Sequence, residues 1–266
     1  MNTLDLSVLL ETACLAAKAA GQHALAHKDR RRECAENFAH DLKLILDAEC
    51  QEIAEQTIFS RHPTHGILGE ESVSPADPEE YEWIIDPIDG TMNYTHDFPY
   101  WCASVAVRKN KKVLAGCVFA PEFNACYTAT ADAPALLNDQ PILPSEIADP
   151  KDALVFTGIS KHMQSATDKH FQMFSRLALS TQKLRINGSA ALDLCQLAAG
   201  VADGFYETSL YLWDHAAASL IARQAGVQVE IIPLPTEPHA CTILAANPRL
   251  FPALQSICKD RTERIF

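Results

Sequence analysis

The sequence predicts a layered protein of the α/β or α+β class. Helix-like segments come first, three strand-like runs follow, and strands then alternate with helices along the second half of the chain. Of the 266 residues, 48% are hydrophobic, which is enough to fill a sizeable core. We therefore expect a single domain spanning residues 1–266, with the loop-rich stretch 132–150 as the best candidate for a subdomain boundary.

Two helices are predicted in the N-terminal part of the chain. Apolar side chains recur at helical spacing over residues 3–27 and again over 41–60. The charged run 28–33 lies between them and predicts a solvated helix end or a loop. Asp47 falls in the first half of the second helix, where an acid usually faces solvent. A short strand over 65–71 follows and is punctuated by glycines.

The remaining elements are mostly strands and short helices. Three strand-like runs separated by turns predict an antiparallel meander, over 101–107, 113–119 and 125–130. Further strands are predicted over 154–157, 184–186, 203–207, 227–232 and 241–246. Helices are predicted over 167–180, 188–199 and 213–224, and after Pro248.

The charge of the chain limits its partners. The formal net charge is −12 and the pI is near 5.2, which argues against nucleic acid as a partner. A small anionic substrate stays open, because a bound cation can reverse the local sign. No run is long and apolar enough to span a membrane. The first five residues carry an acid where a signal peptide is positively charged, so we expect a cytoplasmic protein.

The nine cysteines predict free thiols rather than disulfides. Their number is odd, no C-x-x-C pair occurs, and Cys14, Cys102 and Cys117 lie in apolar surroundings. The absence of paired Cys/His spacing argues against a zinc site. His62 and His65 flank a proline, and we expect them at the surface rather than at a metal.

One stretch, residues 83–93, suggests a chemistry. Its apolar start predicts a buried strand end, and Asp86 and Asp89 follow around a proline. Gly90 and Thr91 then predict a turn into a helix, where backbone N–H groups can bind phosphate. Two acids beside a phosphate need a neutralising cation, and a divalent ion with oxygen ligands is the simplest. Asp-Pro and Asp-Gly pairs are also ordinary turn formers, so this stretch alone does not distinguish a metal site from a turn.

Two further acids extend this hypothesis. Glu70, Asp86, Asp89 and Asp214 each follow a strand or begin a helix, and such positions can converge at one edge of a sheet. Several carboxylates can hold two divalent ions that clamp the oxygens of an in-line displacement. Asp214 has an alternative role as a helix cap, because acids are favoured in the first turn.

Taken together, four motifs resemble the signature of the inositol monophosphatase family. They are Gly69-Glu70-Glu71, the run from Asp86 to Asn93, Gly188-Ser189-Ala190-Ala191 and Trp213-Asp214. They occur in the family's order and at its approximate spacing, and the resemblance covers nearly the whole chain. It implies a layered α-β-α-β-α sandwich of the inositol monophosphatase and fructose-1,6-bisphosphatase type. It also implies a homodimer and a Mg²⁺-dependent, lithium-sensitive phosphatase.

The same resemblance assigns roles to individual residues. It implies one Mg²⁺ held by Glu70, Asp86 and the backbone carbonyl of Ile88, and a second held by Asp86, Asp89 and Asp214. It implies that Thr91, with Asp47 behind it, and Glu70 activate the attacking water. It places the phosphate at the backbone N–H groups of Gly90 and Thr91. It places the alcohol part of the substrate at Asp89, Ala190 and Glu207, and it also implies that Gly188 and Ser189 bind substrate.

Two departures from the family pattern concern a third, weaker Mg²⁺. The chain has Lys43-Leu44 where the family often has Val-Thr, and Glu36 aligns with a family lysine. We therefore expect two ions and leave the third open. The favoured substrate is a small phosphorylated polyol such as inositol 1-phosphate. The alternatives are histidinol phosphate, fructose 1,6-bisphosphate or a 3′-phosphonucleotide, or a non-catalytic binding role.

Overall fold

A computed structural model describes residues 5–38, 41–74, 81–159, 169–234 and 240–259, without the side chains of 35–38, 41–43, 169 and 170. Within these ranges the α-helices are α1 (Leu6–Ala26), α2 (Ile45–Phe59), α3 (Thr91–Thr95), α4 (Lys169–Ser180), α5 (Ala190–Ala198), α6 (Leu212–Ala225) and α7 (Phe251–Cys258). The described part of the chain contains no helix long and apolar enough to cross a membrane.

The strands of the described chain form two large sheets and a separate hairpin. In spatial order, the larger sheet contains β10 (Gln140–Pro141), β9 (Leu136–Leu137), β8 (Ala125–Thr130), β7 (Lys112–Ala120), β6 (Cys102–Lys109), β5 (Glu82–Asp89), β3 (Gly66–Gly69) and β4 (Val73–Ser74). The smaller sheet contains β12 (Lys183–Arg185), β11 (Leu154–Thr157), β13 (Gly204–Leu210), β15 (Cys241–Ala246) and β14 (Gln228–Pro233). The hairpin pairs β1 (Cys34–Phe38) with β2 (Asp41–Leu44).

Three groups of buried side chains show how the layers stack. Helices α1 and α2 pack on one face of the larger sheet, around side chains such as Trp83. Helices α5 and α6 fill the space between the two sheets, where Ile84 and Phe205 meet them from either side. Helices α4 and α7 cover the far face of the smaller sheet, around Leu177 and Leu254. The order is helix, sheet, helix, sheet, helix, which confirms the predicted five-layer sandwich.

Strand β5 is buried on both faces because helices cover both sides of its sheet. Trp83 and Ile85 belong to the core under α1 and α2, whereas Ile84 belongs to the core under α5 and α6. Alternate side chains of a strand point to opposite faces, and a strand covered on both faces reads as a continuous apolar run. The apolar run that opens the 83–93 stretch therefore has a structural cause.

Helix α6 sits unusually close to the larger sheet at one glycine. A Cβ atom built on Gly116 of β7 would lie 2.9 Å from the Cα atom of Ala217. That distance is shorter than van der Waals contact, so any side chain at position 116 would push the helix outward. Small residues on both elements thus set the spacing between α6 and the sheet.

Most predicted elements are confirmed, with their ends shifted by a few residues. The meander is present as β6, β7 and β8, paired antiparallel. The predicted helix over 41–60 is wrong at its start, because residues 41–44 are strand β2 and the helix begins at Ile45. Asp47 explains this boundary, since its Oδ2 atom accepts a hydrogen bond from the backbone N–H of Leu44 at 2.9 Å.

The surface position predicted for His62 and His65 is wrong. Both side chains are buried, and their rings stack with centroids 4.6 Å apart. Trp83 Nε1 donates to His65 Nδ1 at 3.0 Å, and the Thr12 hydroxyl lies 3.1 Å from His62 Nε2. Burial lowers the pKa of His65 to about 4, so the neutral imidazole is the stable form. These two histidines form a hydrogen-bonded polar group within the core.

Candidate active site

A bulge at the end of β5 brings two aspartates to the same side of the larger sheet. Asp86 pairs with Ser104 of β6 and Asp89 pairs with Cys102, so three steps along β5 match two steps along β6. In a regular strand, residues three apart point to opposite faces. The extra residue of the bulge turns Asp89 to the same face as Asp86. Both side chains therefore face the layer that contains α5 and α6.

Asp86 is an almost completely buried carboxylate of this site. Its side chain is 2% exposed, and its Oδ1 atom is buried without a hydrogen-bond partner. Burial raises the pKa of Asp86 well above its ordinary value, and the charges of Glu70, Asp89, Asp214 and Asp47 raise it further, in that order. Four acids from separate parts of the chain therefore lie within electrostatic reach of Asp86.

Asp89 is held by the start of α5. Its Oδ2 atom accepts hydrogen bonds from the Ser189 hydroxyl at 2.6 Å and from the backbone N–H of Ala191 at 2.8 Å. Negative charge is stabilised at this end of a helix. Burial nevertheless raises the pKa of Asp89, because these hydrogen bonds offset only part of the desolvation. Ser189, which we expected to face the substrate, instead directs its hydroxyl to Asp89.

The same hydrogen bond at a helix start positions Asp214 and Asp47. Each lies in the first turn of its helix, and its carboxylate accepts a hydrogen bond from the backbone N–H three residues earlier. For Asp214 the donor is Tyr211 at 2.7 Å, which confirms the capping role. For Asp47 the donor is Leu44, and the side chain is 3% exposed, so the expected solvent-facing position is wrong. Each acid is thus fixed at a helix start and turned inward.

An open cavity of about 610 Å³ lies beside these acids. Its described lining includes the predicted residues Glu70, Asp89, Gly188, Ala190, Glu207 and Asp214. Asp86 and Ile88 are buried and are not among its described lining residues. Gly90, Thr91 and Ser189 are not among its described lining residues.

Glu207 reaches this cavity from β13. A Cβ atom built on Gly158 would overlap the Glu207 carboxylate, so the glycine makes room for it. Burial raises the pKa of Glu207 well above its ordinary value, with contributions from Asp193, Asp89 and Asp214. A carboxyl group in this environment can accept hydrogen bonds from substrate hydroxyls, or donate one when protonated.

Gly90 and Thr91 form the turn from β5 into α3. Gly90 has a φ of +93°, and a Cβ atom there would lie 3.1 Å from the carbonyl oxygens of both Gly188 and Tyr100. The position therefore needs glycine both for its backbone conformation and for space. The Thr91 hydroxyl donates to the carbonyl oxygen of Ile88 at 3.1 Å, which fixes its orientation next to Asp86 and Asp89.

Sequence reasoning missed a buried network behind the Gly188 loop. Asp193 Oδ1 accepts from the Tyr100 hydroxyl at 2.6 Å and from Asn187 Nδ2 at 2.8 Å. Asn93 Nδ2 donates to the carbonyl oxygens of Tyr100 and Asn187, both at 2.7 Å. The network ties α3 to the loop before α5. Asp193 resembled an ordinary acid in an apolar helix, and only Asn93 lay within a recognised motif.

Ser209 is a second feature that the sequence did not reveal. It lines the cavity and has a φ of +63°, within a bulge of β13. A residue other than glycine rarely adopts this conformation, and such residues are frequent at functional sites. No sequence pattern around Ser209 predicts it.

The donor atoms of the site fit a hard divalent cation. Carboxylate and carbonyl oxygens are the ligands that Mg²⁺ prefers, and a buried carboxylate oxygen without a partner is a suitable ligand atom. The donor atoms are of the type that Mg²⁺ binds, but the carboxylate oxygens are not closely spaced. Among the described residues, no three of these carboxylates bring their oxygens within 4.8 Å of one another, so side-chain movement is needed for three of them to bind one ion.

Comparisons with known proteins show the family of the chain. The model of the inositol monophosphatase family matches residues 5–261. The chain belongs to the inositol monophosphatase family. This family consists of phosphatases that act on small phosphate esters and generally depend on metal ions. Members with individual names include an "Inositol monophosphatase" of Dictyostelium discoideum, which is 30% identical over 271 residues and covers 98% of both chains.

Other family members carry a different name. The "Nus factor SuhB" of Vibrio cholerae is 34% identical over 245 residues, covering 91% of this chain and 92% of its own. Among solved structures, the inositol monophosphatase of Anabaena sp. PCC 7120 has a TM-score of 0.84 and 28% identity, and the match covers 96% of both chains. The family is therefore certain, and the substrate within it is not fixed by similarity alone.

Proposed function

We propose that the chain is a Mg²⁺-dependent phosphomonoesterase that hydrolyses a small phosphorylated polyol, with inositol 1-phosphate as the type substrate. The single observation that best supports this is the Asp86 Oδ1 atom, which is buried without a hydrogen-bond partner and within electrostatic reach of acids that line the cavity. Burying a charged oxygen in this way is unfavourable unless a cation pairs with it. Family membership supports the reaction class.

The proposed ligands follow the resemblance. Glu70, Asp86 and the Ile88 carbonyl would hold one Mg²⁺, and Asp86 would share a second with Asp89 and Asp214. When bound, Mg²⁺ supplies positive charge next to the phosphate and lowers the pKa of water.

A third ion stays open. The side chains of Glu36 and Lys43 lie outside the described structure, and Leu44, at the position of the family's threonine, is buried and offers no side-chain oxygen.

The residues around the phosphate would act by orientation and proton transfer. Thr91 donates its hydroxyl hydrogen to the Ile88 carbonyl, so its oxygen lone pairs remain available to accept a hydrogen bond from the attacking water. Glu70 lines the cavity and would accept the proton. Asp47 supporting Thr91 stays a prediction. An in-line attack by water needs no covalent nucleophile from the chain.

The cavity lining supports a monophosphate of a polyol. Its described residues include the carboxylate of Glu207, which can bind hydroxyl groups, and the apolar side chains of Ile186 and Trp213. Lysine and arginine are absent from the described lining, so its described residues offer no cation for a second phosphate. This favours inositol 1-phosphate over fructose 1,6-bisphosphate or a 3′-phosphonucleotide. A relative from Aquifex aeolicus that is 29% identical is nevertheless named "Fructose-1,6-bisphosphatase/inositol-1-monophosphatase".

A substrate panel tests the proposal. Phosphate release would be measured from inositol 1-phosphate, histidinol phosphate, fructose 1,6-bisphosphate and a 3′-phosphonucleotide. Each assay would be run with Mg²⁺, with Mg²⁺ and Li⁺, and with a chelator. We expect inositol 1-phosphate to give the highest kcat/KM, with loss of activity in the chelator and inhibition by Li⁺. Activity that persists in the chelator, or turnover no faster than that of Asp86→Asn, would contradict the proposal.

A second role rests on the relatives named "Nus factor SuhB". It would be a binding role in a transcription complex, independent of turnover. The net charge of −12 argues for a protein partner over direct binding to nucleic acid. Affinity capture from native lysate, with wild type and with Asp86→Asn, separates this binding role from catalysis. Equal capture of transcription proteins by both forms would support the binding role. The expected homodimer and cytoplasmic location stay predictions, which size-exclusion chromatography and cell fractionation would test.

A further inference from the structure

Three cysteines meet under helix α1, far apart in sequence. Cys14 lies on α1, Cys117 on β7 and Cys126 on β8. Their sulfur atoms all lie within 4.8 Å of one another, and those of Cys117 and Cys126 are 3.6 Å apart. Within the described ranges, this thiol cluster is the one group of three or more His, Cys, Asp or Glu side chains that converges so closely.

The sheet register explains the convergence. Cys126 pairs with Phe119, which lies two residues from Cys117 on the same strand. Residues two apart share a face, so both strand cysteines point toward the helix that covers this face. That helix is α1, and the core beneath it contains Cys117 and Cys126. Asp86 and Asp89 face the opposite side of the sheet, so the thiol cluster is separate from the candidate active site.

The spacing of the sulfurs matches that of a metal site. With a metal–sulfur bond of about 2.3 Å, sulfurs in tetrahedral or trigonal geometry lie about 3.8–4.0 Å apart. The observed separations, from 3.6 Å to no more than 4.8 Å, bracket that value. Small side-chain rotations would bring all three sulfurs onto one ion. A donor set made of sulfur alone selects soft cations over Mg²⁺.

The charge balance of the cluster is compatible with one bound divalent cation. Lys18 lies one helical turn after Cys14, and its positive charge favours the thiolate forms of Cys14 and Cys126. Hydrogen bonds from Cys117 and Cys14 lower the pKa of Cys126, whereas the pKa of Cys14 is raised to about 12 and that of Cys117 is raised well above its ordinary value. An ion that binds all three sulfurs therefore displaces protons from Cys14 and Cys117. Three thiolates, one divalent ion and Lys18 sum to zero charge, which limits the penalty of burial.

We propose that Cys14, Cys117 and Cys126 form a binding site for one thiophilic d¹⁰ cation of the class Zn²⁺, Cd²⁺ or Cu⁺. Cys14 is half-buried and gives access from solvent, whereas the other two are buried. The ion would connect α1 to the sheet and stabilise the folded state, because it binds folded protein in preference to unfolded. The site does not depend on the phosphatase activity. The alternative is that the three thiols pack only as small apolar groups.

Titration with Cd²⁺ tests the site. The reduced, chelator-treated protein would be titrated in saturating Mg²⁺ while the ultraviolet charge-transfer absorbance between sulfur and Cd²⁺ is followed. That absorbance arises from thiolate ligands, so Cd²⁺ bound to carboxylates does not contribute. We expect saturation at one ion per chain and a rise in Tm. Competition by Zn²⁺ and by buffered Cu⁺ would then rank the cations.

Cysteine variants make the test specific. Cys14→Ser and Cys126→Ser remove one ligand each, and we expect at least about 100-fold weaker binding for each. The exposed Cys34 provides the matched control, since Cys34→Ser should leave the titration unchanged. Asp86→Asn should also keep the full absorbance.

Three results would overturn the proposal. These are an absent charge-transfer band, a band that survives unchanged in both Cys14→Ser and Cys126→Ser, and a loss of two free thiols that shows a disulfide in its place. Circular dichroism of each variant would establish that it is folded.

Discussion

Neutralising Asp86 should separate catalysis from stability. In Asp86→Asn the carboxylate that we propose is shared by two Mg²⁺ ions is lost. We expect phosphatase activity to fall by at least about 10³-fold, because bound metal contributes several kcal/mol at about 1.4 kcal/mol per tenfold in rate. The metal-free protein should nevertheless become more stable. Its carboxylate is buried, has an oxygen without a hydrogen-bond partner and is surrounded by other acids.

The size of the stability gain follows from this environment. A buried polar group without a partner costs about 1–3 kcal/mol, and a charged group costs more than a neutral amide. We expect metal-free Asp86→Asn to gain about 1–3 kcal/mol in the free energy of unfolding. For a chain of this length each kcal/mol shifts Tm by about 2–4 °C, so Tm should rise by about 2–12 °C.

The gain should also depend on pH. The pKa of Asp86 is raised by burial and by its acidic neighbours, so the folded state binds more protons than the unfolded state between the ordinary value of about 4 and the raised value. Metal-free wild type therefore gains stability as the pH falls through this window and is least stable above the raised pKa. The variant lacks this contribution, so the two stabilities should converge toward pH 4.

Thermal unfolding in a chelator, repeated across pH and then with Mg²⁺, measures these effects. Mg²⁺ should stabilise the wild type strongly and Asp86→Asn weakly. Asp203→Asn is the matched control, because Asp203 is also buried but accepts hydrogen bonds from Ser145 Oγ at 2.5 Å and Leu154 N at 2.7 Å. It should lose about 1–3 kcal/mol. The reasoning is refuted if metal-free Asp86→Asn is no more stable than wild type.

Three further substitutions probe the same site. Gly90→Ala places a methyl group against two carbonyl oxygens at a φ of +93°, so we expect a loss of about 1–3 kcal/mol; chemical denaturation measures this, and an unchanged midpoint would contradict it. Ser189→Ala removes the hydroxyl that Asp89 accepts, and we expect a higher Mg²⁺ concentration for half-maximal activity with a smaller change in kcat at saturating Mg²⁺. Glu207→Gln should alter the ranking of the substrate panel, and an identical ranking would count against contact between Glu207 and the substrate.

Much of the fold could be predicted from local pattern. Strand β5 is recognisable as a continuous apolar run and the helices by their apolar spacing, and the turn predicted at Gly90 is present with a positive φ. The hairpin formed by β1 and β2 was not predicted, because its sequence is polar and its pairing is set by the neighbouring helix start. His62 and His65 looked exposed because their burial depends on Trp83, which is distant in sequence.

The sequence was enough to predict which residues belong to the candidate site. It was not enough to predict how their side chains are arranged. Asp86 and Asp89 are three apart, which places them on opposite faces of a regular strand, and only the bulge in β5 brings them together. The Ser189 hydroxyl was expected at the substrate and is used to hold Asp89. The thiol cluster gave no signal at all, because Cys14 and Cys117 lie about one hundred residues apart along the chain and metal motifs are recognised by short spacing.

The close contact between Gly116 and Ala217 links the helix–sheet distance to the geometry of the proposed catalytic site. Asp214 lies three residues before Ala217 on α6, whereas Asp86 belongs to the sheet on which that helix rests. A larger residue at position 116 would move the two carboxylates apart without touching either of them. Because a misplacement of about 1 Å can lower a rate by about 100-fold, substitutions at this glycine offer a graded way to tune the enzyme from outside its active site.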